Sequence, residues 1–127
     1  MIVVDASAAL SGLLNAGPAR ESLAGEQVHA PHLIDSEVAS GLRRHVAAGR
    51  IAVGDGWAAL DAWRRLGITR YPMPGLLERV WALRENLSAY DAGYVALAEV
   101  LRCSLVTADA RIGRAAGVRC PITVVPR

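Results

Sequence analysis

Short apolar runs alternate with longer amphipathic stretches along the whole chain. Runs rich in β-branched or apolar residues at Ile2 to Val4, Gln27 to Ala30, Ile68 to Tyr71, Ser104 to Thr107 and Ile122 to Val125 predict strands. Helices are predicted between them. Ala6 to Asn15 stops at Gly17, Pro18 to Ala24 begins with a proline suited to a first helical turn, and Leu33 to Ala48 ends at Gly49. Val53 to Leu66 and Leu76 to Glu85 follow, Ala89 to Arg102 has Ser88 in front as a cap, and a short helix runs through Ile112 and Ala115. This alternation predicts an α/β fold, a parallel sheet covered by helices on both faces. No repeat, low-complexity tract or linker breaks it, so residues 1–127 read as one domain.

Several acids sit where this pattern makes them conspicuous. Asp5 and Asp109 each lie just beyond a predicted strand, and the carboxyl ends of strands in an open parallel sheet line the crevice where ligands bind. Either one alone reads equally well as a helix cap. Together they make a concentrated negative site that calls for a cation. Asp91 lies in the first turn of its helix, about 70° from the centre of the apolar face formed by Tyr90, Tyr94, Leu97 and Leu101, at roughly 100° per residue. It therefore borders the core, an expensive place for an unpaired charge. Glu99 falls farther round and reads as a solvated surface residue. On the helix carrying Ile34, Val38, Leu42 and Val46, both Asp35 and Glu37 flank the apolar stripe, and the helical wheel does not choose between them. Arg44, two turns beyond Glu37 on nearly the same face, is spaced to reach a phosphate beside such a site, whereas Asp35 is explained as a favourable charge in a first turn.

Composition narrows the chemistry. All 14 basic residues are arginine, so a phosphate loop built on a lysine is excluded, as is a phosphoaspartate site with its companion lysine. A G+C-rich codon usage accounts for most of that choice, although the arginine fork is also the side chain that grips phosphate in a bidentate way. A net charge of +2 falls short of a tight, sequence-independent nucleic-acid binder. Cys103 and Cys120 have no metal-binding or redox spacing and read as buried thiols in a reducing cytosol, and the absence of a leader or a long apolar run predicts a cytoplasmic protein. His29, His32 and His45 are scattered and read as structural or surface residues.

At this point the chain resembles a PIN domain, and specifically the toxin of a VapBC-type toxin–antitoxin pair. The resemblance rests on Leu87-Ser-Ala-Tyr-Asp91-Ala-Gly-Tyr-Val-Ala-Leu-Ala-Glu99, followed by Leu105-Val-Thr107-Ala-Asp109-Ala-Arg111, with Val4-Asp5-Ala-Ser7 at the start and Ser36-Glu37-Val38 between. It runs from Met1 to about Val125. It implies a parallel sheet sandwiched by helices and metal-dependent endoribonuclease activity, with Asp5, Glu37, Asp91 and Asp109 as the acidic quartet and Ser7 and Thr107 as polar supports. Oxygen-only ligands favour Mg²⁺ or Mn²⁺, with Asp5 and Asp91 as direct ligands and Glu37 and Asp109 completing the shell, holding a second ion or orienting the attacking water. Arg43, Arg44, Arg50, Arg111 and Arg114 are candidates to hold the flanking RNA backbone. The resemblance also implies a small VapB-type antitoxin and a homodimer. Leu60, Trp57, Trp63 and Trp81 either serve those contacts or belong to the core. Two rival readings are a non-catalytic RNA- or antitoxin-binding module and a metal-dependent phosphatase or DNA nuclease using the same acids.

Overall fold

A computed structural model describes residues Met1–Arg127. Five strands, β1 (Ile2–Val4), β2 (Val28–Pro31), β3 (Thr69–Tyr71), β4 (Ser104–Thr107) and β5 (Ile122–Val124), form one all-parallel sheet in the order β3-β2-β1-β4-β5. Seven α-helices connect them: α1 (Ala6–Leu14), α2 (Pro18–Gly25), α3 (Ile34–Ala47), α4 (Val53–Arg65), α5 (Leu77–Ala82), α6 (Ala89–Leu101) and α7 (Ala110–Gly113). The α/β architecture expected from the alternating pattern is therefore present, with most boundaries within a residue or two. Helix α5 is shorter than its periodicity predicts, because Leu83 to Asn86 continue as turns.

Strand order decides where function can sit. The chain steps outward from β1 through β2 to β3, then returns past β1 to lay down β4 on its other side. Because parallel crossovers are right-handed, this reversal puts the α5–α6 connection on the opposite face from the helices that join β1, β2 and β3. The crevice at such a switch point opens between β1 and β4, whose registers pair Val4 with Val106. Both strands are central, and Val3, Val4, Leu105 and Val106 are buried in a continuous apolar core. On one side α1 approaches α3 so closely at Gly41 that a Cβ there would run into the Leu10 side chain. No helix is long and apolar enough to cross a membrane.

Several sequence expectations change in three dimensions. Glu99 is not a solvated surface acid: its side chain is 14% exposed and accepts Arg79 Nε at 2.7 Å, Arg79 Nη2 at 3.2 Å and the Arg119 amide at 2.8 Å. The clamp joins α6 to α5 and to the segment before β5, partners that a single-helix wheel cannot contain. Asp35 does more than favour a helix start, since it accepts Arg70 Nε and Nη2 at 2.7 and 2.8 Å and Trp63 Nε1 at 2.8 Å, tying α3 to α4 and β3. Trp63 is core, whereas Trp57 and Trp81 are exposed. Tyr90 is also exposed rather than part of the buried face of α6. Cys103 and Cys120 are free thiols at intermediate depth rather than fully buried.

Candidate active site

Asp5 ends β1 and caps α1. Its extended backbone (φ −93°, ψ 174°) turns the carboxylate back over the helix start, where Oδ1 accepts the Ala8 amide at 2.9 Å. A cap needs no more than that, yet Oδ1 also accepts Ser7 Oγ at 2.6 Å and Oδ2 accepts Thr107 Oγ1 at 2.5 Å. Both hydroxyls are aimed from behind. The Ala108 amide donates to Ser7 Oγ at 2.9 Å and the Asp109 amide donates to Thr107 Oγ1 at 3.0 Å, leaving each hydroxyl proton for Asp5. The end of β4 thus orients the acid at the end of β1.

Asp5 opens onto a cavity of about 950 Å³ whose lining includes Glu37 from α3, Asp91 from α6 and Asp109 after β4. The wheel's ambiguity is resolved by packing: Glu37 faces this cavity while Asp35 is turned away to Arg70. Burial pushes Asp5 above its ordinary carboxylate value, against the lowering effect of Ser7, Thr107 and Ala8, and the Asp91 charge adds to the rise. Glu37 is raised for the same first reason, with the charges of Asp91 and Asp5 adding to it; the Tyr94 hydroxyl, which donates to Oε1 at 2.8 Å, and the Arg44 charge oppose the shift. Asp91 is raised by burial and by Asp109, against Ser88 and Arg111. Asp109 behaves differently. The Arg111 guanidinium lies 2.7 Å from Oδ2 through Nη2 and holds its carboxyl below the usual range.

No three acidic, histidine or cysteine side chains converge tightly enough to form a ready-made cation cage. The hydrogen bonds explain the spread: Glu37 is engaged by Tyr94, Asp109 by Arg111, and Asp5 by its two hydroxyls. The donor set nevertheless suits a hard divalent cation. Every acid at the cavity offers carboxylate oxygen, and three of the four are held above their ordinary values in a way that an added positive charge would relieve.

The candidate arginines scatter. Arg44 and Arg50 line the cavity, Arg111 is committed to Asp109, and Arg114 lies outside the lining. Arg43 instead edges a separate apolar groove of about 370 Å³ between α3 and α4, beside Val53, Trp57 and Leu60. Tyr94, His45 and Arg127 are among the further residues that reach the cavity. Tyr94 stands three residues after Asp91 and so shares its side of α6, a signal in the sequence that its apolar setting masked. Arg127 carries no such signal, because it meets the site only through the packing of the chain after β5.

Comparison with known proteins gives the chain its relatives. The model of the PIN domain family matches residues 2–118. The chain is similar to ribonuclease VapC9 of Mycobacterium tuberculosis, 62% identical over 127 residues and covering 100% of both chains. It is also similar to ribonuclease VapC1 of the same species, 44% identical with 97% and 96% covered. Among solved structures, Mycobacterium tuberculosis VapC20, described as a sarcin-ricin loop cleaving toxin, shares the fold at a TM-score of 0.66 and 21% identity, covering 94% of this chain and 97% of that one. PAE2754 from Pyrobaculum aerophilum shares it at a TM-score of 0.69 and 23% identity, with 95% and 81% covered.

Proposed function

The chain belongs to the PIN domain family, among its VapC-type toxins, and from that premise we propose that it is a divalent-metal-dependent endoribonuclease, the toxin of a type II toxin–antitoxin pair. The observation that carries the reading is the cavity at the β1–β4 switch point, where Asp5, Glu37 and Asp91 all face one space and all are pushed toward the neutral form. A chain that only bound RNA or a partner would have no use for such mutually repelling groups. The uncollected state of the acids is the one observation favouring a non-catalytic module.

Asp5 and Asp91 would hold Mg²⁺ or Mn²⁺, with Glu37 and Asp109 completing the oxygen set or orienting the attacking water. When bound, such an ion would activate water and stabilise charge on the phosphoryl and leaving oxygens. Ser7 and Thr107 fix the orientation of the Asp5 carboxylate, so its oxygens need not reorganise as the reaction proceeds. Arg44 and Arg50 hold the RNA backbone beside the acids. In the reaction a water oxygen bonds to phosphorus, the bond to the leaving ribose oxygen breaks, and the proton that the water gives up is matched by the one that the leaving oxygen takes up. The antitoxin partner and a homodimer contact would use the exposed apolar surface at Trp57 and at Leu77 and Trp81, which a chain working alone has no reason to leave uncovered.

The test incubates the purified protein and an Asp91→Asn variant with structured RNA and with DNA, in Mg²⁺, Mn²⁺ or EDTA. RNA cleavage by the parent alone, dependent on metal, is expected. Cleavage that survives EDTA, or that the variant performs equally, overturns the metal-site assignment. Binding without cleavage in any metal selects the non-catalytic module, and preferred cleavage of DNA selects the DNA nuclease.

A further inference from the structure

The chain after β5 is pinned at two points beside the acids. The Val125 amide donates to the Thr107 carbonyl at 2.8 Å, and Ser11 Oγ, itself in a buried residue of α1, donates to the Pro126 carbonyl at 2.6 Å. Thr107 and α1 are the two elements that position Asp5, so this segment is registered to the site itself. Arg127 follows directly and lines the acid cavity. It enters none of the chain's ion pairs, whereas Arg111, its nearest rival, is already committed to Asp109. Arg44 lines the same cavity from α3, two turns beyond Glu37, while the Val125–Thr107 bond brings the approach to Arg127 within two residues of Asp109. The acids are therefore flanked by a free guanidinium on each side.

Building on the ribonuclease reading, we infer that Arg127 grips the RNA phosphate next to the scissile one on the Asp109 side, while Arg44 grips the neighbour on the Glu37 side. Arg127 is a substrate-binding residue that reads the backbone and not the base. The fork of an arginine suits a phosphate, and a cation left unpaired beside carboxylates is available to a passing anion without first breaking a salt bridge.

The experiment measures binding of two fluorescein-labelled single-stranded RNAs of unlike sequence, in EDTA across a salt series, and steady-state cleavage in Mn²⁺. It compares the parent with Arg127→Ala, Arg127→Lys and Arg65→Ala, the last removing an equal charge far from the cavity. Arg127→Ala should weaken both RNAs alike by several-fold, flatten the salt slope by about 0.7, raise KM and leave kcat nearly unchanged. The lysine variant should recover part of the affinity and Arg65→Ala should change neither slope nor KM. An unchanged slope and KM in Arg127→Ala, or an effect matched by Arg65→Ala, overturns the assignment while the parent still cleaves RNA. A fall in kcat at unchanged KM would place Arg127 on the reacting phosphate instead and overturn it also. A parent that neither binds nor cuts RNA would sink the ribonuclease reading itself.

Discussion

Asp5 and Asp109 occupy equivalent positions, each just beyond one of two adjacent central strands and each capping the helix that follows, yet the structure treats them in opposite ways. Asp5 is buried, accepts only neutral donors and is raised. Asp109 is half-buried, accepts a guanidinium and is lowered. The same residue type at the same place in the topology thus gives one carboxylate whose charge lacks a counter-ion and one whose charge is already balanced. A cation entering the cavity gains most by meeting the first. The second must exchange its arginine before it can contribute as much.

The largest expected effect follows directly. Asp5→Asn and Asp91→Asn should each lower kcat for RNA cleavage by about 10²–10³-fold, the scale of losing one preorganised electrostatic group. Asp109→Asn should cost less, about 10- to 100-fold, as an outer contributor does. Equal losses at Asp5 and Asp109, measured under saturating Mn²⁺, would erase the distinction. Next, Mn²⁺ at 100 times its dissociation constant should stabilise the parent by about 2.7 kcal/mol in urea unfolding, and that gain should vanish in Asp5→Asn but persist in part in Asp109→Asn. A third acid serves as contrast: Asp35→Ala should cost about 1–2 kcal/mol by orphaning Trp63 Nε1 and Arg70, moderated by solvent access, while leaving metal stabilisation intact.

A pH series sharpens the comparison further. Because burial raises Asp5 above its ordinary 3.8, its contribution favours the folded state at low pH and is lost as pH rises through the folded value. In metal-free buffer the stability of Asp5→Asn relative to the parent should therefore climb with pH across that window. A loss independent of pH would reduce Asp5 to a helix cap. Asp109, lowered by Arg111, contributes with the opposite sign: its stabilisation is present above the unfolded value and fades as pH falls through the folded one. The smallest effect is expected from Arg111→Met, which should move the Asp109 carboxyl signal in a carbon-13 titration upward while barely changing the unfolding midpoint.

Much of this was legible in the chain. The strands and most helices follow from apolar runs and caps, since those signals are local. Asp5 and Asp109 were visible as strand-end acids, and Asp91 as a charge bordering an apolar stripe. Glu37 was not separable from Asp35 by periodicity, because the two flank the same stripe symmetrically. The choice between them came from Arg70 and Trp63, which claim Asp35 from other elements. Glu99 was misplaced for the same reason, as its partners lie on α5 and before β5.

The sequence by itself determined the element order, the parallel sheet and the presence of acids at its carboxyl edge, because hydrophobic period, capping residues and handedness act over a few residues or over topology as a whole. Only the tertiary structure decided which of those acids keeps an uncompensated charge. That depends on burial and on partners, several of them from distant segments: Thr107 behind Asp5 and Tyr94 against Glu37, with the neighbouring Arg111 balancing Asp109. Desolvation and pairing between distant segments are properties of the three-dimensional neighbourhood, and no spacing along the chain encodes them.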